Sequence, residues 1–307
     1  MSANDAHTPL RGRPVLVTGA SGYLGTAVVE RLLAAGSHVT GTSRTCPSAE
    51  VDHWEAFDLR APEGIDELFR RRRPEWVFHL GGITDARRVL DRVAPSFATN
   101  AWGTVRVLEA CSRHGCRGFV HCGSMEAPRA GSAAAPASPY GASKWVGTVY
   151  AKLFQALFEV PAVILRPFFI YGPGRQPGHK LVPSLVRSYL GGERPRLTSP
   201  ERAMDWVFID DVADGFVRAA CAPAAIGCEI DLGSGRLTSI GAFAELVRAE
   251  IGGGPPPAVE PDPARAEEVS EVADTRFAVA TIGWTPATTL DEGVRQTVDW
   301  FRRHREA

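Results

Sequence analysis

A short apolar run followed by three regularly spaced glycines constrains the fold of this chain more than any other feature. Residues 15–17, Val-Leu-Val, predict a buried parallel strand, and residues 27–33 predict an amphipathic helix. Between them, Gly19 permits a tight turn, Gly22 lets the backbone approach a pyrophosphate, and Gly25 lets the helix pack close to the strand. A glycine-rich turn that binds nothing is the alternative, but the strand–turn–helix context favours a phosphate site at the helix N-terminus.

Strand and helix patterns alternate from residue 14 to about residue 166. Further strands are predicted at residues 39–43, 54–59, 77–80, 119–122 and 162–165. Further helices are predicted at residues 62–73, 93–114 and 139–158. This alternation predicts an α/β fold with a doubly wound parallel sheet, a Rossmann sheet, covered by helices on both faces.

The pattern becomes more broken after residue 170, with Asp210 and Ser239 as predicted helix caps. Strands are predicted there at residues 207–209 and 230–232, and helices at residues 180–190, 211–221, 239–251, 275–281 and 290–303. We assign the chain to three parts, with some late segments returning to the second of them. These parts are a disordered N-terminus (1–13), a dinucleotide-binding domain (14–170) and a smaller C-terminal α/β lobe that binds substrate (171–307).

Composition excludes several classes of function. The net charge of −1 over 307 residues gives no electrostatic reason to expect nucleic acid or an anionic membrane as a partner. No apolar run reaches transmembrane length, and the polar residues 1–13 do not resemble a signal peptide. The six cysteines form no Cys-x-x-Cys pair and do not cluster with histidines, so we expect no metal site, reduced thiols and a cytoplasmic location.

Tyr140 and Lys144 are candidate catalytic residues, because their spacing of four at the start of a predicted helix places them on one face. A neighbouring ammonium lowers the pKa of a phenol, which would make Tyr140 a general acid or base near neutral pH. Ser124 lies just beyond a predicted strand, where its hydroxyl can hold a substrate oxygen. Pairs with this spacing are frequent by chance, but the order of glycine turn, serine and Tyr-x-x-x-Lys favours an active site.

Several longer motifs accompany these residues. They are Thr-Gly-Ala-Ser-Gly-Tyr-Leu-Gly at 18–25, Asp58-Leu59, His79-Leu80-Gly81-Gly82, Asn100, Ser124, Tyr140-Gly-Ala-Ser-Lys144, Arg166-Pro167-Phe168, Tyr171-Gly172-Pro173-Gly174, residues 205–212, Gly283-Trp284-Thr285-Pro286 and Trp300. Over nearly all of residues 14–303 the chain resembles the extended short-chain dehydrogenase/reductase family. That family includes nucleotide-sugar epimerases, dehydratases and ketoreductases.

The resemblance implies a role for each of the three candidate catalytic residues. Tyr140 would be the acid/base at the C4 oxygen of a hexose, Ser124 would bind the same oxygen, and Lys144 would hold the nicotinamide ribose. Hydride would pass between the nicotinamide and the C4 carbon of the sugar. The residues expected to contact the dinucleotide are Gly19, Ser21, Gly22, Tyr23, Leu24, Gly25, Ser43, Arg44, Asp58, Leu59, Leu80, Gly81, Gly82, Asn100, Tyr140, Lys144 and Pro167.

The end of the second predicted strand indicates which dinucleotide binds. Folds that prefer NAD place Asp or Glu there to bind the ribose 2′-hydroxyl. This chain has Ser43 in that position, and the following Arg44 can pair with a 2′-phosphate. A surface arginine without such a role is the alternative; we predict NADP(H).

The residues after Ser124 bear on the reaction. Related 4,6-dehydratases carry Thr-Asp-Glu or Thr-Ser-Glu followed by Val-Tyr-Gly, whereas this chain has Met125-Glu126 followed by Ala-Pro-Arg129, so the usual Tyr-Gly is absent. Glu126 is a fourth candidate catalytic residue, with an acceptor for a substrate hydroxyl or an ordinary hydrogen-bonded loop residue as the alternatives. Met125 cannot transfer a proton as the acid of the dehydratases does at that position. A similar Ser-x-Glu and a Gly-Thr-x-Arg second strand resemble 4-ketoreductases. We therefore predict an NADPH-dependent 4-ketoreductase, with an epimerase, a 4,6-dehydratase or a non-catalytic dinucleotide sensor as alternatives.

Substrate recognition departs from the family pattern at two positions. Phe169 replaces an asparagine that often reaches the substrate phosphates, and Met204 stands where an arginine commonly binds the diphosphate. We expect a nucleotide sugar to contact Ser124, Met125, Phe169, Lys180, Arg202 and Arg236. The two long helices predicted at 93–114 and 139–158 resemble those that pair subunits in this family, so we also expect a homodimer.

Overall fold

The computed structural model describes residues 8–46, 50–61, 64–129, 131–132, 134–261 and 270–304. Its strands are β1 (Pro14–Thr18), β2 (His38–Ser43), β3 (His53–Ala56), β4 (Trp76–His79), β5 (Gly118–Cys122), β6 (Ala162–Pro167), β7 (Phe169–Tyr171), β8 (Arg196–Leu197), β9 (Ala203–Phe208), β10 (Glu229–Leu232), β11 (Leu237–Ser239) and β12 (Ala258–Val259). Its α-helices are α1 (Tyr23–Ala34), α2 (Ile65–Arg72), α3 (Val93–Ser96), α4 (Gly103–His114), α5 (Pro139–Leu157), α6 (Leu181–Leu190), α7 (Ile209–Cys221), α8 (Ile240–Ile251), α9 (Thr275–Ile282) and α10 (Leu290–Arg303).

The largest sheet has seven strands in the order β10-β6-β5-β4-β1-β2-β3. Strand β1 pairs in parallel with β2 on one side and with β4 on the other, with Val17 opposite both Gly41 and Phe78. The order of strands therefore reverses between β1 and β4. In open α/β sheets the carboxyl ends of the strands leave a ligand-binding crevice at such a reversal. The predicted doubly wound Rossmann sheet is confirmed.

One hydrophobic core of this sheet packs α2, α4 and α5 against the central strands. It includes Leu16, Phe69, Val77, Leu108 and Phe119, each at most 1% exposed. Right-handed crossovers running in opposite directions from β1 and β4 place their helices on opposite faces of the sheet. The α1 helix is joined instead to α7, because Arg31 lies 3.5 Å from Asp214. The sheet is thus covered by helices on both faces.

The chain divides into two compact units, and the described parts of residues 1–167, 213–231 and 276–284 form the first of them. The second unit takes residues 168–212, 232–275 and 285–307, again where described. Its strands form a three-stranded sheet in the order β11-β9-β7 and a two-stranded pair of β12 with β8. Its core stacks Trp206 on Phe243 with ring centroids 4.0 Å apart, and Tyr171 meets both rings edge-on.

The structure differs from the sequence-based prediction at four places. The predicted disorder does not hold for residues 8–13, where Thr8–Leu10 forms a 3-10 turn and Leu10 is fully buried; residues 1–7 lie outside the described residues. The helix predicted at 93–114 contains a π-helical segment, Phe97–Trp102, between α3 and α4. Asp210 lies inside α7 and does not cap it, because the helix already begins at Ile209. The short strands β7, β8, β11 and β12 were not predicted, since each depends on a distant partner. Ser239 does cap α8, accepting a hydrogen bond from the backbone N–H of Ala242 at 3.1 Å.

Candidate active site

The glycine turn joins β1 to α1 in the geometry that a phosphate site needs. Gly19 has a φ of 72°, in the left-handed region that favours glycine. A Cβ at Gly25 would overlap the carbonyl oxygen of Gly19, so the helix passes too close to the turn for any side chain. Gly22 is the N-cap of α1 and supplies no side-chain bond to it, which leaves the N–H groups of the first turn directed towards the crevice.

A second pair of glycines lies beside this turn, after the neighbouring strand β4. A Cβ at Gly19 would lie 2.6 Å from the Cα of Gly81, so the two backbones touch at the strand reversal. A Cβ at Gly82 would lie 2.8 Å from Oδ1 of Asn100 and 3.4 Å from Nζ of Lys144. The absence of side chains at these glycines leaves a cradle bordered by N–H groups and by Lys144. These residues fit a dinucleotide.

The end of β2 carries positive charge and no acidic residue. Ser43 is already engaged, since its hydroxyl donates to the carbonyl of Thr45 at 2.6 Å and accepts from the indole of Trp54 at 3.1 Å. The Arg44 side chain is exposed next to it. Asp58 is held by Arg60, whose Nε lies 3.0 Å from Oδ1 and 3.1 Å from Oδ2.

The pKa of Asp58 is lowered to about 2, chiefly by the hydrogen bonds from Arg60 and in smaller part by the charge of Arg44. The carboxylate is therefore ionised and paired, and the net charge of these three residues is +1.

A chain of buried hydrogen bonds links the two glycine segments to the helices. Nδ1 of His79 lies 2.8 Å from the Thr18 hydroxyl, and Nε2 lies 3.0 Å from the Thr104 hydroxyl. Thr104 donates its own proton to the carbonyl of Asn100 at 2.6 Å, so it must accept from Nε2. His79 is thus the neutral Nε2–H tautomer, and burial lowers its pKa to about 3. Asn100 in turn donates to the hydroxyl of Ser143 at 2.9 Å.

The three candidate catalytic residues lie together beside this network. Ser124 follows β5, Tyr140 lies in the first turn of α5, and Lys144 lies one turn later. Ser124 hydrogen-bonds the phenol of Tyr140 through its side chain, and Lys144, 3% exposed, donates to the carbonyl of Cys122 at 2.8 Å.

Glu126 also belongs to this group. Its carboxylate accepts a hydrogen bond from the hydroxyl of Ser138 at 3.2 Å, and Ser138 caps α5 by accepting from the N–H of Gly141 at 3.0 Å. A Cβ at Gly141 would lie 2.6 Å from the carbonyl oxygen of Glu126, so the loop rests directly on the start of the helix. The position of Glu126 is therefore coupled to that of Tyr140.

The pKa of Tyr140 departs from the sequence-based prediction. It is raised, mainly by burial, then by the charge of Glu126 and by Cys122, and the hydrogen bond from Ser124 opposes this rise. The expectation that Lys144 lowers it is not met in the protein alone, where burial lowers the pKa of Lys144 itself. Tyr140 is therefore held protonated, as a proton donor.

The expected substrate residues fall into two groups. Ser124 and Met125 lie in the first unit with Tyr140, and the N–H of Met125 donates to the carbonyl of Pro167 at 3.3 Å. The others, Phe169, Lys180, Arg202 and Arg236, lie in the second unit. Two of these meet, since the guanidinium of Arg202 lies 5.8 Å from the centroid of the Phe169 ring.

The remaining two lie on separate segments of the second unit. Lys180 is the N-cap residue of α6. Arg236 is exposed in a turn, where its N–H donates to the Ser234 hydroxyl at 3.3 Å. That turn is fixed by buried Asp205, which accepts from the N–H groups of Ser234 and Gly235 at 2.5 and 3.0 Å.

Sequence reasoning assigned no role to several residues that shape this site. Buried Arg166 donates to the carbonyls of Ser124, Met125 and Ala127 at 3.2–3.3 Å. A charged residue at the end of the apolar run of β6 was the available signal for it. The link from His79 to Thr104 had no such signal, because it joins residues on different elements.

Among the described residues no group of histidine, cysteine, aspartate or glutamate side chains could hold a metal ion, and none of the described helices is long and apolar enough to cross a membrane.

Comparison with known proteins agrees with this geometry. A profile of the NAD dependent epimerase/dehydratase family matches residues 15–233. A UDP-glucose 4-epimerase of Mycolicibacterium smegmatis is 30% identical over 94% of this chain and 98% of its own length. The structure of a UDP-glucose 4-epimerase of Thermotoga maritima with UDP-glucose superimposes with a TM-score of 0.85 at 26% identity, over 95% of this chain and 99% of that one.

A UDP-glucose 4-epimerase of Thermus thermophilus, solved with NAD, gives a TM-score of 0.82 at 28% identity, over 94% of this chain and 98% of that one. The glycine turn, the Ser124–Tyr140–Lys144 group and these similarities agree. The chain belongs to the NAD dependent epimerase/dehydratase family of extended short-chain dehydrogenases/reductases.

Proposed function

We propose that this protein is an NADP(H)-dependent oxidoreductase that reduces the 4-keto group of a nucleotide-linked deoxysugar. The observation that carries the proposal is the end of β2, where Ser43 is engaged, Arg44 is exposed and the carboxylate of Asp58 is neutralised by Arg60. A reductase consumes its dinucleotide in each turnover, and NADPH is the reduced form that such a cationic site favours.

The residues of the site divide the chemistry between them. When bound, the dinucleotide would supply the hydride that reduces the C4 carbonyl carbon of the sugar. Tyr140, held protonated, would give its phenolic proton to the carbonyl oxygen, so that the ketone becomes an alcohol. Ser124 would hold the same oxygen, and buried Lys144 would hold the nicotinamide ribose.

Epimerisation at C4 is the second candidate. It is favoured by the UDP-glucose 4-epimerase of Mycolicibacterium smegmatis, which is 30% identical to this chain. In that reaction the hydride would return to the opposite face of the same carbon, with no net use of the dinucleotide. Glu126 would then bind a sugar hydroxyl. In a 4,6-dehydratase it would instead remove the C5 proton, and its distance from Tyr140 is set by the contact with Ser138.

Each of the two groups described above supplies proposed substrate contacts. Ser124 and Met125 would contact the sugar. Phe169 with Arg202, Lys180 and Arg236 would contact the nucleotide, replacing the asparagine and arginine that related enzymes use for the diphosphate.

The decisive experiment incubates the purified protein with a nucleotide-linked 4-keto-6-deoxyhexose and NADPH, and separately with UDP-glucose and no added dinucleotide. Stoichiometric loss of NADPH with formation of the alcohol supports the reductase. Formation of UDP-galactose without that loss would show that the protein is an epimerase and not a reductase.

Tyr140→Phe should abolish either reaction. Arg44→Ala should remove a preference for NADPH over NADH, and equal affinity of the wild type for both dinucleotides would exclude a role for Arg44.

We further propose that the protein acts as a homodimer in the cytoplasm. An exposed apolar stripe on α5, argued below, supports the dimer. Six free thiols suit a reducing compartment.

A further inference from the structure

One buried arginine binds the backbone of the loop at residues 124–129, which carries Ser124 and Glu126. Arg166, 1% exposed, donates from Nε to the carbonyl of Ser124 at 3.3 Å and from Nη2 to the carbonyls of Met125 and Ala127 at 3.2 and 3.3 Å. A planar guanidinium that binds three carbonyls of one loop fixes its path, because its donors point in set directions.

A second arginine holds the far end of the same loop. Arg129 places Nη2 2.7 Å and Nη1 3.4 Å from the two carboxylate oxygens of Asp231, a two-pronged contact. The Asp231 side chain is 3% exposed, whereas that of Arg129 is 45% exposed. Asp231 also lies 3.6 Å from Nη1 of Arg166, so one buried carboxylate serves both arginines.

The neighbouring carboxylate on β10 extends this network to the catalytic helix. Glu229, two residues before Asp231, lies on the same face of the strand. It is 3.6 Å from Nε of Arg166 and 2.6 Å from Nζ of Lys152, which is on α5. The 124–129 loop and the helix that carries Tyr140 are thus tied to one pair of carboxylates.

We propose that Arg129 is a positioning residue, whose contact with Asp231 holds the 124–129 loop so that the Ser124 hydroxyl stays on the phenol of Tyr140. The inference rests on the proposed function, in which Ser124 and Tyr140 act on the same oxygen.

The pKa of Tyr140 provides a readout that a merely structural role would not change. Four groups face the phenol or lie beside it: Glu126 and Cys122, which raise its pKa, Ser124, whose hydrogen bond lowers it, and Lys144 one turn along α5. Loosening the loop weakens the Ser124 bond first, because that bond depends on a single hydroxyl position. In a Glu126→Gln background, where the charge of Glu126 no longer contributes, the pKa of Tyr140 should then rise.

The test compares Arg129→Ala with Arg113→Ala in the full-length protein. Arg113 on α4 is a matched control, because it is 48% exposed and pairs with Asp66 at 2.5 Å rather than with Asp231. In Arg129→Ala, hydrogen exchange at the amides of Glu126 and Ala127, measured by mass spectrometry without ligands, should be roughly tenfold faster than in the wild type. Arg129→Lys should restore part of the protection, and Arg113→Ala should leave it unchanged.

Enzyme turnover provides the second measurement of the role of Arg129. Arg129→Ala should lower kcat by roughly tenfold at unchanged dinucleotide Kd. In a Glu126→Gln background it should also move the pH dependence of the reverse reaction, alcohol oxidation, to higher pH. Ser124→Ala should move it in the same direction, and adding Arg129→Ala to Ser124→Ala should move it no further. Unchanged exchange in Arg129→Ala, or a pH shift that adds fully to that of Ser124→Ala, would overturn the proposal. A wild type without turnover would count against the proposed function alone, since exchange at the loop is measured without substrate.

Discussion

At the scale of single residues, the main effect in the site is that burial raises the pKa of the Tyr140 phenol. Tyr140 needs a proton to give, and burial together with the charge of Glu126 keeps that proton on the oxygen. Lys144 is only 3% exposed, and burial lowers its own pKa, so its charge is sensitive to what binds next to it. The proton-donating state of Tyr140 is thus the resting state of this site, which suits reduction of a ketone.

Replacing Glu126 by glutamine should make Tyr140 more acidic. The carboxylate disfavours a neighbouring phenolate and so raises the pKa of Tyr140, and an uncharged amide of the same shape removes that effect. Alcohol oxidation requires the phenolate, so its rise with pH should move to lower pH by about one unit. The pH profile of kcat in the oxidative direction measures this, with Glu250→Gln as a control remote from the loop in sequence. An unchanged profile would show that the charge of Glu126 does not act on the phenol of Tyr140.

At the scale of elements, the turn between β1 and α1 depends on the lack of a side chain at Gly25. Gly25→Ala places a methyl group against the carbonyl oxygen and carbon of Gly19. This stretch of backbone is fixed, because the N–H of Gly19 donates to the carbonyl of Thr42 on β2 at 2.7 Å. The helix N-terminus must move away, so we expect dinucleotide affinity to fall at least about tenfold. Titration calorimetry with NADPH measures the loss. Gly241→Ala, where the new Cβ would lie 3.3 Å from the carbonyl of Pro200, should bind NADPH normally. Normal binding by Gly25→Ala would contradict the proposed cradle.

Strands β4 and β5 bury two stacked histidines, which makes stability depend on acid. The rings of His79 and His121 are 5.8 Å apart, and burial lowers the pKa of both, aided by the charge of Lys144. A histidine whose folded pKa lies below its unfolded value of about 6.5 binds protons preferentially in the unfolded state. Its contribution is therefore present above that pH and is lost as the pH falls.

His121→Phe should reduce this acid sensitivity. Both ring nitrogens of His121 lack hydrogen-bond partners within the described part of the chain, so a phenyl ring replaces them without losing a bond. Between pH 6 and pH 4, the slope of unfolding free energy against pH should fall by about 1.4 kcal/mol per pH unit. Denaturant unfolding at several pH values measures it. His38→Phe, at an exposed position, should leave the slope unchanged; an equal change in both variants would contradict this account.

The elements that sequence patterns predicted are those fixed by local chemistry. Residues 15–17 and the three glycines after them specify a strand, a turn and a helix within a dozen positions, and the structure has all three. The π-helical segment at Phe97–Trp102 has no such local signature. Arg166 and Asp231 are close only because β6 and β10 are neighbours in the sheet, and their pairing could not be read from either segment. Hydrophobic periodicity in the sequence does not predict long-range polar contacts of this kind.

At the scale of the whole molecule, α5 presents an apolar stripe that is exposed within the described part of the chain. Trp145, Val149, Leu153 and Leu157 follow at intervals of four residues and are 41%, 46%, 39% and 65% exposed. Phe97, 55% exposed, adds to the same kind of surface on the preceding helical run. Clustered apolar side chains of this size mark interfaces in soluble proteins. A two-fold axis would let the stripe pack against its own copy and bury both at once.

Charge placed on this stripe should therefore separate the subunits. In Val149→Glu/Leu153→Glu, four carboxylates would meet across the two-fold axis, and their desolvation opposes association. Light scattering after gel filtration should give twice the chain mass for the wild type and the chain mass for this variant. The control is Val279→Glu/Phe277→Glu on α9, whose residues have matching exposures of 46% and 43% and should remain dimeric when substituted. Tyr140 and Lys144 lie on the same helix as the stripe, so the monomer should also lose hydrogen-exchange protection along α5. A monomeric wild type, or a dimer that survives both substitutions, would show that the stripe is not the dimer interface.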